Sequence, residues 1–159
     1  MQHHGMALAL ALAVIVAGFG LGAAPEQGDL PKIQGKWEAS VGRRKEFAVS
    51  LEVKGSEVSA MITPKVGPKL RASGEWQLDE SASPRSLDWI KFSTVDGTEV
   101  PTLHSIYRLE GDRLILRSGG FNDDRPKAFE KGGEGCWTDV LVFTRPGSTP
   151  KADAISNGH

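Results

Sequence analysis

Between Gln34 and Arg145, apolar and polar residues alternate in one short run after another. The clearest run is Glu46–Val53, where Phe47, Val49, Leu51 and Val53 alternate with Ala48, Ser50 and Glu52. A period of two puts every second side chain on one face, so the run reads as a half-buried strand. A first strand, Gln34–Val41, precedes it and ends at Gly42-Arg43-Arg44. Lys54-Gly55-Ser56-Glu57 turns the chain, and Val58, Ala60 and Ile62 continue the alternation. Pro64 and Pro68 bracket a loop. Leu70, Ala72, Gly74, Trp76 and Leu78 then form an inward face against Arg71, Ser73, Glu75 and Gln77. Leu87–Thr94 is a fifth strand of ambiguous facing, because Trp89, Ile90 and Phe92 fall on both sides. After the Asp96-Gly97 turn, Thr102–Leu109 and Arg113–Arg117 pair as a hairpin about Glu110-Gly111-Asp112. Ser118–Gly135 is a long loop, and Trp137–Arg145 is the last strand, with Trp137, Leu141 and Phe143 on one side.

No helical period survives after the N-terminal apolar run. About eight short strands joined by turns predict an all-β fold, an antiparallel up-and-down barrel or a sandwich. The 159 residues allow one ordinary domain, expected over residues 33–146. Residues 25–32 read as a linker and 147–159 as a disordered polar tail.

Charge changes the picture little. Lys and Arg number 19, Asp and Glu 20, for a net charge of −1. That balance favours neither nucleic acid nor an anionic membrane surface. The single cysteine, Cys136, excludes an intramolecular disulfide, and its neighbours Gly135 and Trp137 supply nothing to activate a thiol.

Reactive constellations are missing from the pattern. A zinc site needs three or four well-spaced ligands, and beyond the N-terminal region only His104, His159 and Cys136 come from the usual His and Cys set. Asn122-Asp123-Asp124 lacks the spacing and glycine of a calcium loop. His104 and Ser105 are adjacent in a strand and so point to opposite faces. No Gly-x-Ser-x-Gly elbow and no phosphate-binding glycine loop occurs. The expectation is therefore no catalytic residue, no metal, no cofactor and no enzymatic activity. Arg125, in the long loop, has two readings. It caps backbone carbonyls while Phe129 covers one end of the barrel, or it belongs to a lid that meets an anionic ligand at the barrel mouth.

Gly35-Lys36-Trp37 opens the first strand. A strand glycine marks a bend or close backbone approach, and the largest apolar side chain follows on the same face. Trp37 reads as a plug at the closed end, its burial worth roughly 4–6 kcal/mol as an upper bound. The element resembles the Gly-x-Trp signature of lipocalins and other calycins. More of the chain, from about Leu30 to Arg145, resembles the lipocalin-like domain of unknown function abundant in planctomycete bacteria. The resemblance is carried by Ile33–Trp37, Leu78–Asp88, Ile106–Leu114 and Arg125–Phe129. It implies a lipocalin-like barrel and export, and no activity. It also implies that Arg145 packs over Trp37, with Gly35, Trp37 and Arg145 as the structural signature. Members often carry a cysteine in the seventh strand, where this chain has Leu116.

The functional expectation is a non-enzymatic binder of a small apolar molecule within the barrel. Leu51, Trp76 and Tyr107 are the candidate ligand contacts inside and Arg125 the candidate at the mouth. A barrel filled by its own aromatics, serving as an envelope interaction or structural module, is the alternative; a hydrolase or isomerase at the mouth is a third. No protein partner is specified.

Met6–Leu21 is uncharged and apolar, and Gly22-Ala23-Ala24 follow it, as in a secretory signal over residues 1–24. The preceding Met1–Gly5 carries no Lys or Arg, and Pro25 disfavours cleavage directly after Ala24. An uncleaved anchor is the rival, and membrane association is expected only in that case. Cleavage is expected near residues 22–26, read by the intact mass of the exported protein. A membrane-bound species that retains Met6–Leu21 establishes the anchor instead.

Overall fold

The computed structural model describes residues 28–42, 44–121, 124–130 and 140–148. Its strands are β1 (Gly35–Val41), β2 (Phe47–Lys54), β3 (Glu57–Pro64), β4 (Leu70–Asp79), β5 (Ser86–Thr94), β6 (Leu103–Glu110), β7 (Arg113–Ser118) and β8 (Val140–Thr144). Each pairs antiparallel with its sequence neighbour and β8 returns to β1, closing an eight-stranded up-and-down barrel. The eight expected strands are all present, with ends shifted by a few residues. Trp137, Cys136 and the leader lie outside the described residues, as does the tail beyond Ser148.

Alternation becomes burial in β2, where Val49, Leu51 and Val53 are buried and Ala48, Ser50 and Glu52 are not. The ambiguity of β5 has a specific cause. Ser73 pairs with Ser93, yet Glu75 pairs with Ile90, so Gly74 alone faces Lys91 and Phe92. Lys91 adopts a φ of 54°. This bulge inserts one residue into β5, so Trp89 and Phe92, three apart, are both buried in the core. Glycine at 74 makes the bulge possible. A Cβ there would stand 2.3 Å from Phe92 Cδ2 and 2.8 Å from the Ile90 carbonyl oxygen.

The two ends differ. At one end Ile33 and Trp37 have no exposed surface, and the Trp37 indole donates to the Ile33 carbonyl at 2.8 Å. Residues 28–32, expected as linker, belong to this closed end. Lys32 and Ile33 N–H groups both bond the Asp29 carbonyl, Asp29 is buried, and Leu30 packs against the core. The segment is held because Asp29 finds partners inside, as described below.

Toward the other end the β3–β4 wall opens. Val58 and Trp76 are buried, Ala60, Ile62 and Ala72 half-buried, and Leu70 is 49% exposed. Leu70 was expected inside; it stands at the rim, where no facing side chain covers it. On the opposite side Phe92, Leu103 and Leu141 stay buried. There the 95–102 loop folds over, its Val100 N–H bonding the Phe92 carbonyl.

Gly74→Ala is expected to cost at least about 1–3 kcal/mol, the range for overfilling a packed core. Chemical denaturation reads it; an unchanged midpoint means that the Phe92 ring is not fixed against Gly74.

Candidate ligand groove and the predicted site residues

Three hollows among the described residues bear on a ligand site. The first lies at the open end, about 300 Å³ in volume, lined by Val41, Phe47 and Val49 from β1 and β2 and by Ile62, Pro64, Pro68 and Leu70 from β3 and β4. These residues occupy inward strand positions and the adjoining loop, and every one is apolar. The second, about 390 Å³, lies on the outside of β1–β4, where Lys36, Glu38, Ser50, Glu52 and Arg71 alternate with core residues. Its charges are solvated and in part paired, Lys54 with Glu52 at 3.0 Å. The third, about 510 Å³, is an open polar hollow beside Asp29, Lys32 and Arg85 at the closed end. Only the first combines an apolar lining with a concave inner face, the features of small-molecule sites.

Of the expected contacts, Leu51, Trp76 and Tyr107 are inside the barrel but deeper than this groove. Leu51 and Tyr107 each keep 1% of their surface and Trp76 3%. These side chains border almost no room for even a water molecule. They fill the base of the barrel rather than line a cup. Trp76 packs edge-on against Trp89, centroids 5.1 Å apart at 77°, and Trp89 against Phe92 at 5.2 Å. Neither indole N–H has a hydrogen-bond partner among the described residues. An unmet buried donor costs about 1–3 kcal/mol, so this aromatic cluster is held by its packing.

The Tyr107 hydroxyl donates to Asp29 Oδ2 at 3.0 Å. The same oxygen accepts from Arg85, Lys32 Nζ stands 3.8 Å from Oδ1, and the Asp29 N–H donates to Glu80 at 2.7 Å. Tyr107 thus ties the barrel wall to the segment before β1. Burial first, then the hydrogen bond and charge of Asp29, hold the phenol protonated well above its usual range.

Arg125 is not at the mouth. Its Nη1 donates to the Ser105 carbonyl at 2.7 Å and its Nη2 to Asp88 Oδ2 at 2.9 Å. Asp88 lies between the buried Leu87 and Trp89 and so points outward. His104 Nδ1 and Arg125 Nη1 also approach Asp88 Oδ1, at 3.1 and 2.7 Å, off the line of a directional hydrogen bond. Burial raises the Asp88 pKa, but the Arg125 guanidinium and then the nearby His104 ring outweigh it and hold the carboxyl low. Phe129 likewise lies on the outer wall, its ring centroid 5.1 Å from the Arg108 guanidinium carbon, and not over a barrel end. Arg117 donates to the Ala128 carbonyl. The 124–130 segment therefore clamps the wall that carries Ile106 and Ile115, two outward residues that are nonetheless buried. Ser105, beside His104, points inward to the Ser118 hydroxyl at 2.7 Å. The outer cluster has no nucleophile among the described residues, and no group of three or more His, Cys, Asp or Glu residues there is arranged to hold a metal.

The signature residues meet at the closed end. The Arg145 guanidinium carbon lies 3.7 Å from the Trp37 ring centroid. Its Nη1 donates to the carbonyls of Gln34 at 2.5 Å and Lys36 at 3.3 Å, and its Nη2 to that of Lys32 at 2.8 Å. Gly35, at a φ of 93°, lets the guanidinium pass, since a Cβ would sit 3.3 Å from Nη1.

Alternation placed Phe47, Val49, Ile62 and Leu70 on the inner face; Val41, Pro64 and Pro68 were not singled out. The two prolines were visible as brackets of a loop, but nothing local says that a loop folds toward a mouth. No protein-family model, no curated protein and no solved structure matches the chain.

A raised folded pKa means that the fold favours the neutral phenol. The resulting stability is whole below the unfolded value of about 10 and is lost as pH rises through the folded value. Tyr107→Phe is expected to cost about 1–3 kcal/mol at neutral pH by leaving Asp29 short of a donor. It is also expected to flatten the loss of stability above about pH 10. Denaturation midpoints across that range check both; identical alkaline slopes mean that the phenol contributes nothing to the linkage.

Proposed function

We propose that the protein is an exported, lipocalin-like, non-enzymatic carrier that holds a small apolar molecule in the groove at the barrel mouth, not in a deep cup. The observation that supports this most directly is the groove itself: seven apolar residues on a concave surface open to solvent at one end. The lipocalin-like reading draws support from the closed barrel and from Arg145 over Trp37. Export rests on the leader sequence alone.

The size of the groove limits the ligand. About 300 Å³ is at the lower edge of small-molecule sites. Binding gains roughly 25 cal/mol per Å² of apolar surface covered, less the cost of immobilising the ligand. Micromolar affinity, about −8 kcal/mol, is the natural expectation. The filled base favours one rival, an envelope interaction module that carries no ligand.

Titration with an environment-sensitive apolar dye separates the two. Saturable binding is expected, weakened at least about ten-fold by Leu70→Asp, which puts a charge among apolar groups at a cost of more than about 1.4 kcal/mol. Leu70 is half-exposed, so the substitution leaves the core intact. Trp76→Ala is expected to affect stability more than dye affinity. If the folded protein binds no dye saturably, the interaction module is the better reading.

A further inference from the structure

Large apolar side chains exposed to solvent gather at one end of the barrel. Val66, Leu70, Val95 and Phe121 lie in or beside the loops that join β3 to β4, β5 to β6 and β7 to β8, all at the open end. Val66 is 91% exposed and Val95 80%. The fifth such residue among the described ones, Val142, stands on the wall in β8.

Positive charge gathers beside them. The β1–β2 loop carries Arg44 and Lys45, and the β3–β4 loop carries Lys65 and Lys69. The two loops are one unit. The Lys65 N–H bonds the Glu46 carbonyl at 2.9 Å and its Nζ the Arg44 carbonyl at 3.1 Å. The only acidic residue in the pair, Glu46, accepts from the Arg44 N–H. Asp96 and Glu99 lie across the mouth in the 95–102 loop, where Asp96 is engaged by Thr94 and Thr98. The β1–β4 half of the rim is thus basic, although the chain as a whole has a net charge of −1.

We infer that the open end docks on a bilayer surface rich in anionic lipid, with Val66 and Leu70 reaching the interface and Arg44, Lys45, Lys65 and Lys69 facing the headgroups. This departs from the expectation drawn from net charge, which averages over both ends. Isolated aliphatic tips flanked by lysines suit such a surface, because lysine stems lie along apolar material while their heads stay with anions. They suit a protein partner poorly, since protein interfaces are depleted in lysine and centre on packed aromatics. The inference does not require that the groove hold a ligand.

Co-sedimentation of the purified protein with vesicles of one part phosphatidylglycerol to three parts phosphatidylcholine tests it. Binding is expected there at low salt, release at about 0.5 M salt as screening shortens, and little binding to phosphatidylcholine alone. Arg44→Glu with Lys69→Glu is expected to weaken binding at least about 25-fold, at about five-fold per basic residue. An environment-sensitive fluorophore at Val66→Cys, in a Cys136→Ser background, should shift to the blue on binding, and one at Val142→Cys should not. Absence of binding, equal binding to both vesicle types, or a fluorophore response at 142 alone overturns the inference. So does binding that survives the charge reversal, which leaves the leader as its cause. Dye titration of the reversed variant reads the groove separately, because neither substituted residue lines it.

Discussion

The barrel closes through the side chain of Arg145. Among the described residues β8 has five residues and meets β1 in a single register pair, Glu38 with Thr144. Among these residues the last seam of the sheet has fewer paired positions than those on either side of it. Arg145 follows β8 directly and supplies donors to three carbonyls in and just before β1. It stacks on Trp37 as it does so, a contact worth about 0.5–2 kcal/mol. Lysine lacks the planar fork to meet several carbonyls and a ring at once. Trp37 anchors itself to Ile33, and Gln34 joins the same turn to the β2–β3 hairpin through Gly55. With this end fixed, the first and last strands are adjacent and every intervening pair can form in register.

The seam explains why the ends differ. The closed end is filled by Trp37, Tyr107, Phe143 and Leu114 and sealed by the Asp29 network. Material at the other end is used unevenly. One loop folds inward over Phe92, while residues 124–130 of the long loop lie on the outer wall and clamp β6 and β7 through Arg125, Ala128 and Phe129. Neither the 95–102 loop nor the 124–130 segment lines the groove between β1 and β4.

Much of the fold was legible in the sequence because strand alternation is a local signal. Phe47 to Val53 declares a strand within eight residues, and the turns about Gly55 and Gly111 declare its neighbours. The bulge in β5 was legible only as confusion, since Trp89 and Phe92 look inconsistent until Gly74 on the facing strand is known to make room. The site was less legible. Alternation says which residues face inward, but not whether inward space is filled at that height. Leu51 and Phe47 are two alternations apart on β2, yet one touches Trp37's level and the other the groove. Arg125 was legible as a donor to backbone carbonyls but not where, because its partners Asp88 and Ser105 are brought to it by three strands and a loop.

Filling the base and leaving the mouth open also separates stability from recognition. Deleting a fully buried large side chain costs about 3–5 kcal/mol, a large share of the roughly 5–15 kcal/mol that holds a domain together. Trp37, Tyr107 and Phe143 are such residues and so tolerate little change. Ile62, Pro64, Pro68 and Leu70 are half-buried or exposed, so replacing them forfeits only part of that energy. The loops beside them carry the charges of the rim and contribute little to the core. A barrel built this way can alter what its mouth meets, apolar or anionic, while the Arg145 seam and the packed base keep the fold unchanged.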